Sequence, residues 1–255
     1  YYKTLSIGSS FTHYLDRFLL KSPISLVICT EDGSEPSHWI DPMLNQNTKS
    51  ISLVNGVETS SKKITNINNS GKAISILFVG RLESIKGCET LVKAIIKANK
   101  DMKGFFKVTI VGGGAEKNKL NQLIEDHKVK DYFTFTNSVP QSEIYSYYMN
   151  HDIFVSLNHM GNLSNVTLEA FSYGCCLILP DTQIDMPIDI ATKKIIPDHL
   201  AIRYGDVGDY ESLAQKLIYL ANNKEELNNR KQLTYQYSLK ALHSWDNRIS
   251  EELEL

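Results

Sequence analysis

From about residue 71, short apolar runs alternate with segments of helical periodicity, and this alternation constrains the fold more than any other feature. Most runs are rich in β-branched or aromatic residues, as strands buried on both faces of a parallel sheet are. Repeated strand–helix units predict an α/β fold, a doubly wound parallel sheet with helices on both faces. The predicted strands are Ile74–Val79, Val108–Val111, Phe133–Thr136, Ile153–Leu157, Leu177–Leu179 and Ala201–Tyr204.

Two of the intervening segments have clear helical signals. Cys88–Lys100 carries apolar residues at helical spacing, which predicts one buried face. Tyr210–Ala221 follows Asp209, whose side chain is well suited to cap a helix N-terminus. Since ligands of parallel α/β sheets bind at the carboxyl ends of the strands, the turns that lead from strands into helices are the places to look for a site.

The first 70 residues differ from the rest of the chain. They contain one helical stretch, two apolar runs and a polar linker, namely Phe11–Leu20, Ile24–Cys29, Ile51–Val54 and Ser60–Lys72. These elements are too few to close a core of their own. We expect this segment to be the tail of a preceding domain.

Composition excludes several classes of protein. Lys and Arg number 27 against 29 Asp and Glu, which leaves a net charge of −2 and no basic field for nucleic acid. The four cysteines and seven histidines show no zinc-type spacing, so we expect no metal site and structural cysteines. No apolar run reaches the roughly 18 residues of a membrane span, and no signal peptide is visible. These features favour a cytoplasmic protein.

The first candidate motif is the turn after the strand Ile74–Val79. Gly80 and Arg81 open this turn, and Lys86 lies just before the next helix. A guanidinium, an ammonium and a helix N-terminus together suit a diphosphate. Two solvated cations on a surface turn explain the same residues equally well.

The next predicted strand ends in Gly112–Gly114, three consecutive glycines. They allow close approach of a ligand, although a tight connection between a strand and a helix is the simpler explanation. The pattern is not GxGxxG and no acidic residue is placed for a dinucleotide ribose, which disfavours a dehydrogenase.

The third motif runs from Gly161 to Ala170, where a polar loop leads into a helix that starts near Ser164 or Asn165. Free backbone N–H groups are expected behind either residue. Glu169 falls in about the second turn, where a carboxylate can accept two hydrogen bonds from a vicinal diol. A carboxylate that only complements the helix dipole is the alternative.

Four segments in order carry a resemblance to a known family: FVGRLESIKGCETLVKAI, VTIVGGGAEKNKL, FTFTNSVPQSEIYSYYMNHDIFVSL and LSNVTLEAFSYG. Together they resemble the Rossmann-like, nucleotide-sugar-binding domain of retaining GT-B glycosyltransferases of family four. The resemblance implies that residues 1–60 end an N-terminal acceptor domain and its linker. Residues 61–240 would form the donor domain, and residues 241–255 a helix that returns to the first domain.

The resemblance also implies roles for individual residues. Arg81 and Lys86 would neutralise the diphosphate, Glu169 would bind the ribose, and these three would serve catalysis. The helix start at 164–167 would face the distal phosphate and sugar, and residues 137–140 would flank the base. The implied donor-binding set is Gly80, Arg81, Lys86, Asn137, Val139, Ser164, Asn165, Val166, Thr167 and Glu169.

The implied activity is transfer of a sugar from a UDP- or GDP-sugar to a glycan, lipid-linked or protein acceptor, with retention of configuration. No metal or other cofactor is expected, and no nucleic acid partner. The resemblance also allows peripheral contact with the inner membrane face through the missing part of the first domain. The chain alone is expected to be incomplete for catalysis.

The sequence departs from the family pattern at two positions. The family has a glutamate eight residues before Glu169, near the transferred sugar, where this chain has Gly161, and Asn158, His159 or Asn162 could substitute for it. A family glycine is replaced by Asn137. The first departure leaves open a non-catalytic protein that binds a nucleotide sugar or stabilises a partner, and a sugar-nucleotide epimerase is a third, less well matched possibility.

Overall fold

The computed structural model describes residues 16, 18–58, 73–183 and 185–255. The polar linker and most of the predicted first helix lie outside these residues, although residues 18–20 are helical. The strands are β1 (Leu26–Glu31), β2 (Lys49–Val54), β3 (Ile74–Val79), β4 (Phe106–Val111), β5 (Phe133–Thr136), β6 (Ile153–Val155), β7 (Cys176–Leu179) and β8 (Ile202–Arg203). The helices are α1 (Pro36–Ile40), α2 (Cys88–Ala98), α3 (Lys117–Asp126), α4 (Gln141–Asn150), α5 (Asn165–Ser172), α6 (Ile190–Ile195), α7 (Tyr210–Asn222), α8 (Lys224–Ala241) and α9 (Trp245–Leu253).

Strands β3 to β8 form one parallel sheet in the order β5-β4-β3-β6-β7-β8. This is the order of a doubly wound nucleotide-binding sheet, so the predicted fold class is confirmed. All six predicted strands are present, and the bounds of four of them differ by one or two residues from those predicted. Strand β6 is shorter than expected because residues 156 and 157 already belong to the loop that follows it.

Helices cover both faces of the sheet, as predicted. One buried cluster combines Ile76 and Phe78 of β3 with α2, α3 and α7. A second cluster on the other face combines Leu77 with residues of α4 and α5, among them Tyr148 and Phe171. The alternation along β3 therefore serves two cores, because each of its side chains points to the opposite face from its neighbours.

The predicted capping of α7 is also present. The Asp209 carboxylate accepts a hydrogen bond from the Ser212 N–H at 2.9 Å, and α7 begins at the next residue. The four cysteines are free and buried, as predicted for structural thiols. Burial raises the pKa of Cys175 and of Cys176 to about 12, so neither thiol forms a nucleophilic thiolate at neutral pH.

The segment before residue 59 is organised differently. Strands β1 and β2 form a separate two-stranded parallel sheet. Among described residues 18–55, Cys29 is the only buried hydrophobic residue. Two contacts tie the end of this segment to the chain terminus: Arg248 of α9 donates to the Val54 carbonyl at 2.9 Å, and the Val57 N–H donates to the His243 carbonyl at 2.9 Å. No described helix is long and apolar enough to cross a membrane.

Candidate functional site

The strand order places a crevice between the loops that follow β3 and β6. From β3 the chain adds strands toward one edge of the sheet, and from β6 it adds them toward the other. Parallel α/β sheets bind ligands where the strand order reverses in this way, at the carboxyl ends of the strands. A small cavity of about 220 Å³ lies there. Its lining includes Gly80, Lys86, Asn158, Ser164, Asn165 and Val166.

The three-glycine turn after β4 supports this edge by packing against the turn after β3. Gly112 has φ +135°, and a Cβ on it would lie 2.0 Å from the Gly80 carbonyl oxygen. Only glycine fits this contact. The simpler explanation of the three glycines, a tight connection, is the one that this contact supports at Gly112.

The two predicted cations lie in different environments. Lys86 is half-buried at the small cavity, and its pKa is lowered by burial and by the neighbouring Arg81 charge. The Arg81 side chain is 71% exposed and forms an ion pair with Glu83 at 2.9 Å. Lys86 therefore belongs to the crevice, whereas Arg81 lies at its rim and would have to leave Glu83 to contact a ligand.

Helix α5 begins at Asn165, with Ser164 as its N-cap residue. Ser164 makes no side-chain capping bond, and its Oγ lies 3.3 Å from Thr167 Oγ1. The N–H groups of Thr167 and Leu168 both donate to the Ser164 carbonyl. The N–H groups of Asn165 and Val166 have no acceptor among the described residues. Two free N–H groups at a helix start are able to donate hydrogen bonds to an anion.

Glu169 lies one turn further along α5 and is half-buried. Tyr148 Oη donates to its Oε2 at 2.7 Å, and Gln141 Nε2 donates to its Oε1 at 2.7 Å. Burial and the Glu169 charge both raise the pKa of Tyr148, which keeps its hydroxyl a donor. A carboxylate has about four acceptor positions, so two remain for a diol.

A larger cleft of about 690 Å³ continues from the small cavity along α5. Asn165 and Val166 line both spaces, so the two are adjacent. The larger one is walled by α4, α5, residues 56–58 and the start of α9, through Gln141, Tyr145, Tyr148, Glu169, Tyr173, Val57, Glu58 and Trp245.

Four members of the predicted set line neither space: Arg81, Asn137, Val139 and Thr167. Thr167 is fully buried and its N–H is already bonded, so it supports the helix start from within. Asn137 is exposed and its Oδ1 accepts a hydrogen bond from Lys117 at 3.0 Å. Val139 is half-buried and packs against the second core cluster. Both follow β5 at the same edge of the sheet as the crevice.

The loop between β6 and α5 is held by a buried set of hydrogen bonds. Asp189 is 1% exposed and accepts from the Asn162 N–H and from Thr192 Oγ1 through Oδ1, and from Asn162 Nδ2 through Oδ2. Asn162 Oδ1 accepts from Ser156 Oγ, and Asn158 Nδ2 donates to the Gly161 carbonyl. The side chains of Asn158 and Asn162 are thus committed to the loop, so neither is placed to substitute for a carboxylate at 161.

Sequence reasoning missed the partners that hold the site. Tyr148 and Gln141 fix Glu169, and Asp32 of the first segment reaches the loop before α5, where its carbonyl accepts from the Leu163 N–H at 2.8 Å. The helical position of Tyr148, on the buried face of α4, was readable from the sequence. Its contact with a residue 21 positions away was not.

Comparison with known proteins agrees with this architecture. A component of phosphatidylinositol N-acetylglucosaminyltransferase from Arabidopsis thaliana is 24% identical over 249 residues, which are 96% of this chain and 52% of the relative. A crystal structure of the pneumococcal O-GlcNAc transferase GtfA in complex with UDP and GlcNAc superposes with a TM-score of 0.67 at 20% identity, over 90% of this chain and 44% of GtfA. Sucrose-phosphate synthase from Thermosynechococcus elongatus superposes with a TM-score of 0.73 at 17% identity, over 99% of this chain and 63% of the synthase.

This chain spans about half the length of the Arabidopsis relative. The two structural likenesses are below 25% identity and establish the fold alone. The resemblance to GT-B glycosyltransferases is thereby confirmed at the level of fold. The family model described as glycosyl transferases group 1 matches residues 60–237, about seven tenths of the chain. The chain belongs to the glycosyl transferases group 1 family.

Proposed function

We propose that this chain is the donor-binding part of a glycosyltransferase that uses a UDP-sugar, with UDP-N-acetylglucosamine as the first candidate. One observation carries the proposal: the free N–H groups of Asn165 and Val166 lie between a half-buried cation, Lys86, and a carboxylate, Glu169, that keeps acceptor positions for a diol. The cation, the helix start and the diol acceptor follow one another along the crevice. A sugar nucleotide would place its diphosphate at the cation and the helix start, and its ribose at the diol acceptor. The Arabidopsis relative and GtfA, both named for transfer of N-acetylglucosamine, support this choice of donor.

The same groups account for the chemistry. When the bond between the sugar C1 and the β-phosphate oxygen breaks, its electron pair and negative charge pass to the diphosphate. Lys86 and the N–H groups of Asn165 and Val166 stabilise that charge at the place where it develops. Arg81 adds a second cation once it leaves Glu83. These groups supply the stabilisation without a metal, and transfer with retention of configuration to a glycan, lipid-linked or protein acceptor completes the proposal.

Calorimetric titration of the chain with UDP, GDP, uridine, UDP-glucose and UDP-N-acetylglucosamine tests this function. We expect saturable binding of UDP, weaker binding of GDP, and much weaker binding of uridine, because uridine lacks the diphosphate. A folded chain that binds none of the nucleotides would exclude the proposal. Tighter binding of GDP than of UDP would change the proposed base from uracil to guanine and leave the rest of the proposal unchanged.

A second function has one specific observation in its favour. No carboxylate projects from position 161, since Gly161 is packed against another backbone. A protein that binds a nucleotide sugar without transferring it, and that stabilises a partner, would need no group there. The discriminating assay is donor consumption by the protein extended upstream with its complete first domain. Turnover of the donor by that protein would exclude the non-catalytic role.

A further inference from the structure

The donor orientation defined by Glu169 and Lys86 leads to a specific place for the transferred sugar. With ribose at Glu169 and phosphates at the start of α5, the sugar lies beyond Lys86, at the loop 158–163. This step rests on the proposed function. The groups available at that end of the crevice therefore decide which sugar hydroxyls are recognised.

The loop itself cannot present a side chain from position 161. Gly161 has φ +118°, and a Cβ on it would lie 2.6 Å from the Gly33 carbonyl carbon and 2.7 Å from the Ser34 N–H nitrogen. Gly33 is equally confined, because its Cβ would lie 2.6 Å from Asp189 Oδ1. Two glycine backbones, 128 positions apart in the chain, are thus packed face to face at the sugar end of the crevice.

The carboxylate next to this contact belongs to Asp32. Its carbonyl accepts from the Leu163 N–H at 2.8 Å, which fixes it to the loop before α5. Its Oδ1 accepts from the Ser34 N–H at 3.1 Å, and its Oδ2 has no hydrogen-bond partner among the described residues. Asp32 is half-buried, and its charge acts on Lys86, where it opposes the lowering of the Lys86 pKa by burial.

Two contacts further along the same loop also hold Asp32 in place. The Asp189 N–H donates to the Gly33 carbonyl at 2.7 Å, and Glu35 Oε1 accepts from the Ala191 N–H at 2.5 Å. The loop that carries Asp32 is therefore fastened to the donor domain at Asp32 itself and again at Gly33 and Glu35. A carboxylate with one committed and one open oxygen, near the phosphate-binding lysine, is preorganised to accept hydrogen bonds from a polyol.

We propose that Asp32 binds the hydroxyl groups of the transferred sugar, so that the segment before the donor domain supplies the carboxylate that position 161 cannot carry. Asp32 is then a specificity-determining residue. It distinguishes sugars by the hydroxyls that reach Oδ2, and it leaves recognition of the nucleotide to Glu169 and Lys86.

The test measures the dissociation constants of UDP and of UDP-N-acetylglucosamine for the wild-type chain, for Asp32→Asn and for Glu83→Gln. The readout is the ratio of the two constants, because removing a negative charge near Lys86 changes the affinity for both ligands alike and cancels in the ratio. Glu83→Gln is the matched control, since Glu83 also acts on the Lys86 charge but lies on the turn after β3. We expect Asp32→Asn to weaken UDP-N-acetylglucosamine roughly tenfold relative to UDP, as for a lost charged hydrogen bond, and Glu83→Gln to leave the ratio unchanged.

The outcomes separate this inference from the function on which it rests. A wild-type chain that binds no UDP would contradict the proposed function itself. An unchanged ratio in Asp32→Asn, with UDP binding intact, would overturn only the role of Asp32. If Asp32→Asn and Glu83→Gln weakened UDP-N-acetylglucosamine relative to UDP by the same factor, the effect would be one of charge, and the role of Asp32 would be overturned as well. Thermal unfolding of each variant confirms that the ratio is measured on folded protein, and Asp32→Ser provides a second substitution that keeps a local acceptor for the Ser34 N–H.

Discussion

The two ends of the crevice along α5 are built in different ways. At the end proposed to bind the nucleoside, the Glu169 carboxylate is held by Tyr148 and Gln141, which come from the neighbouring helix α4. At the end proposed to bind the sugar, two glycine backbones from distant segments are packed together beside Asp32 of the earlier one. The proposed nucleoside end is therefore preorganised by two adjacent helices, whereas the proposed sugar end depends on the packing of two distant segments.

This difference separates two kinds of specificity. In the proposed function, Glu169, Lys86 and the start of α5 contact the parts common to all donors with one nucleotide. The sugar end depends on residues 32–34, so its chemistry can change without altering the nucleoside end. The substitutions below test each end in turn, from the largest expected effect to the smallest.

Gly161→Ala breaks the sugar end. The new Cβ would meet the backbone of Gly33, and φ +118° is strained for any residue with a Cβ. We expect the free energy of unfolding to fall by about 2–4 kcal/mol, from overpacking and backbone strain together. Urea or guanidinium unfolding of the variant and the wild type measures this.

Gly113→Ala is the matched control for Gly161→Ala. A Cβ on Gly113 has no atom within 4 Å, and its φ is not in the left-handed region. Both substitutions reduce the entropy of the unfolded chain to the same extent, so their difference reports the contact and the backbone strain at Gly161 together. Equal unfolding midpoints for the two variants would mean that the two glycine backbones are not packed in solution.

Glu169→Gln breaks the nucleoside end. The neutral amide keeps one acceptor oxygen but turns the other position into a donor that faces the Gln141 amide. We expect UDP binding to weaken by about 1–3 kcal/mol, the range for hydrogen bonds to a charged group, with the fold retained. Calorimetry with UDP and a thermal melt measure the two quantities.

Glu58→Gln serves as the control for this substitution, because Glu58 lines the same cleft and is exposed. It changes the charge by the same amount without touching the carboxylate that Tyr148 holds. Equal losses of affinity in the two variants would reduce the role of Glu169 to its charge. Unchanged affinity in Glu169→Gln would remove it from the site.

Tyr148→Phe sharpens the comparison, because it removes the support of Glu169 and leaves the carboxylate itself. We expect UDP binding to weaken by about 1 kcal/mol, and discrimination between UDP and 2′-deoxy-UDP to decrease. A purely structural role would leave that discrimination unchanged.

Tyr173→Phe is the control. The Tyr173 ring stacks on Tyr148 with centroids 5.8 Å apart and lines the same cleft, but Tyr173 gives Glu169 no hydrogen bond. If Tyr173→Phe lowered the discrimination as much, preorganisation by Tyr148 would be contradicted.

Local sequence patterns predicted the fold well, and they predicted some of the local structure around the candidate site. The alternation of apolar runs with helical segments is set by burial, and it placed all six strands of the sheet and the Asp209 cap correctly. The start of α5 at Asn165 follows equally from local signals. The packing of Gly33 on Gly161 was not predictable, because it joins positions 128 residues apart. Which residues meet across such a distance depends on how two segments pack, and no local periodicity encodes that.

The exposure of Arg81 was likewise not predictable from local sequence patterns. Its position in the turn suggested a role equal to that of Lys86, whereas the structure pairs it with Glu83 at the rim of the crevice. Neither the ion pair nor the difference in burial follows from the spacing of the two cations. The relative contributions of Arg81 and Lys86 to diphosphate binding are therefore a question for measurement.

Arg81→Ala is expected to have the smallest effect. Arg81 is mostly exposed and must give up Glu83 to reach a phosphate, so its net gain is that of a surface pair, about 0.2–1 kcal/mol. Lys86→Ala should weaken UDP binding more, because Lys86 is half-buried at the cavity. Both variants should bind uridine as the wild type does, since uridine carries no phosphate. Calorimetry with UDP and uridine measures all four values. Equal losses of affinity for UDP and uridine in Arg81→Ala would argue against a phosphate role for Arg81. A larger loss of UDP binding in Arg81→Ala than in Lys86→Ala would mean that the ligand draws Arg81 away from Glu83 and into the crevice.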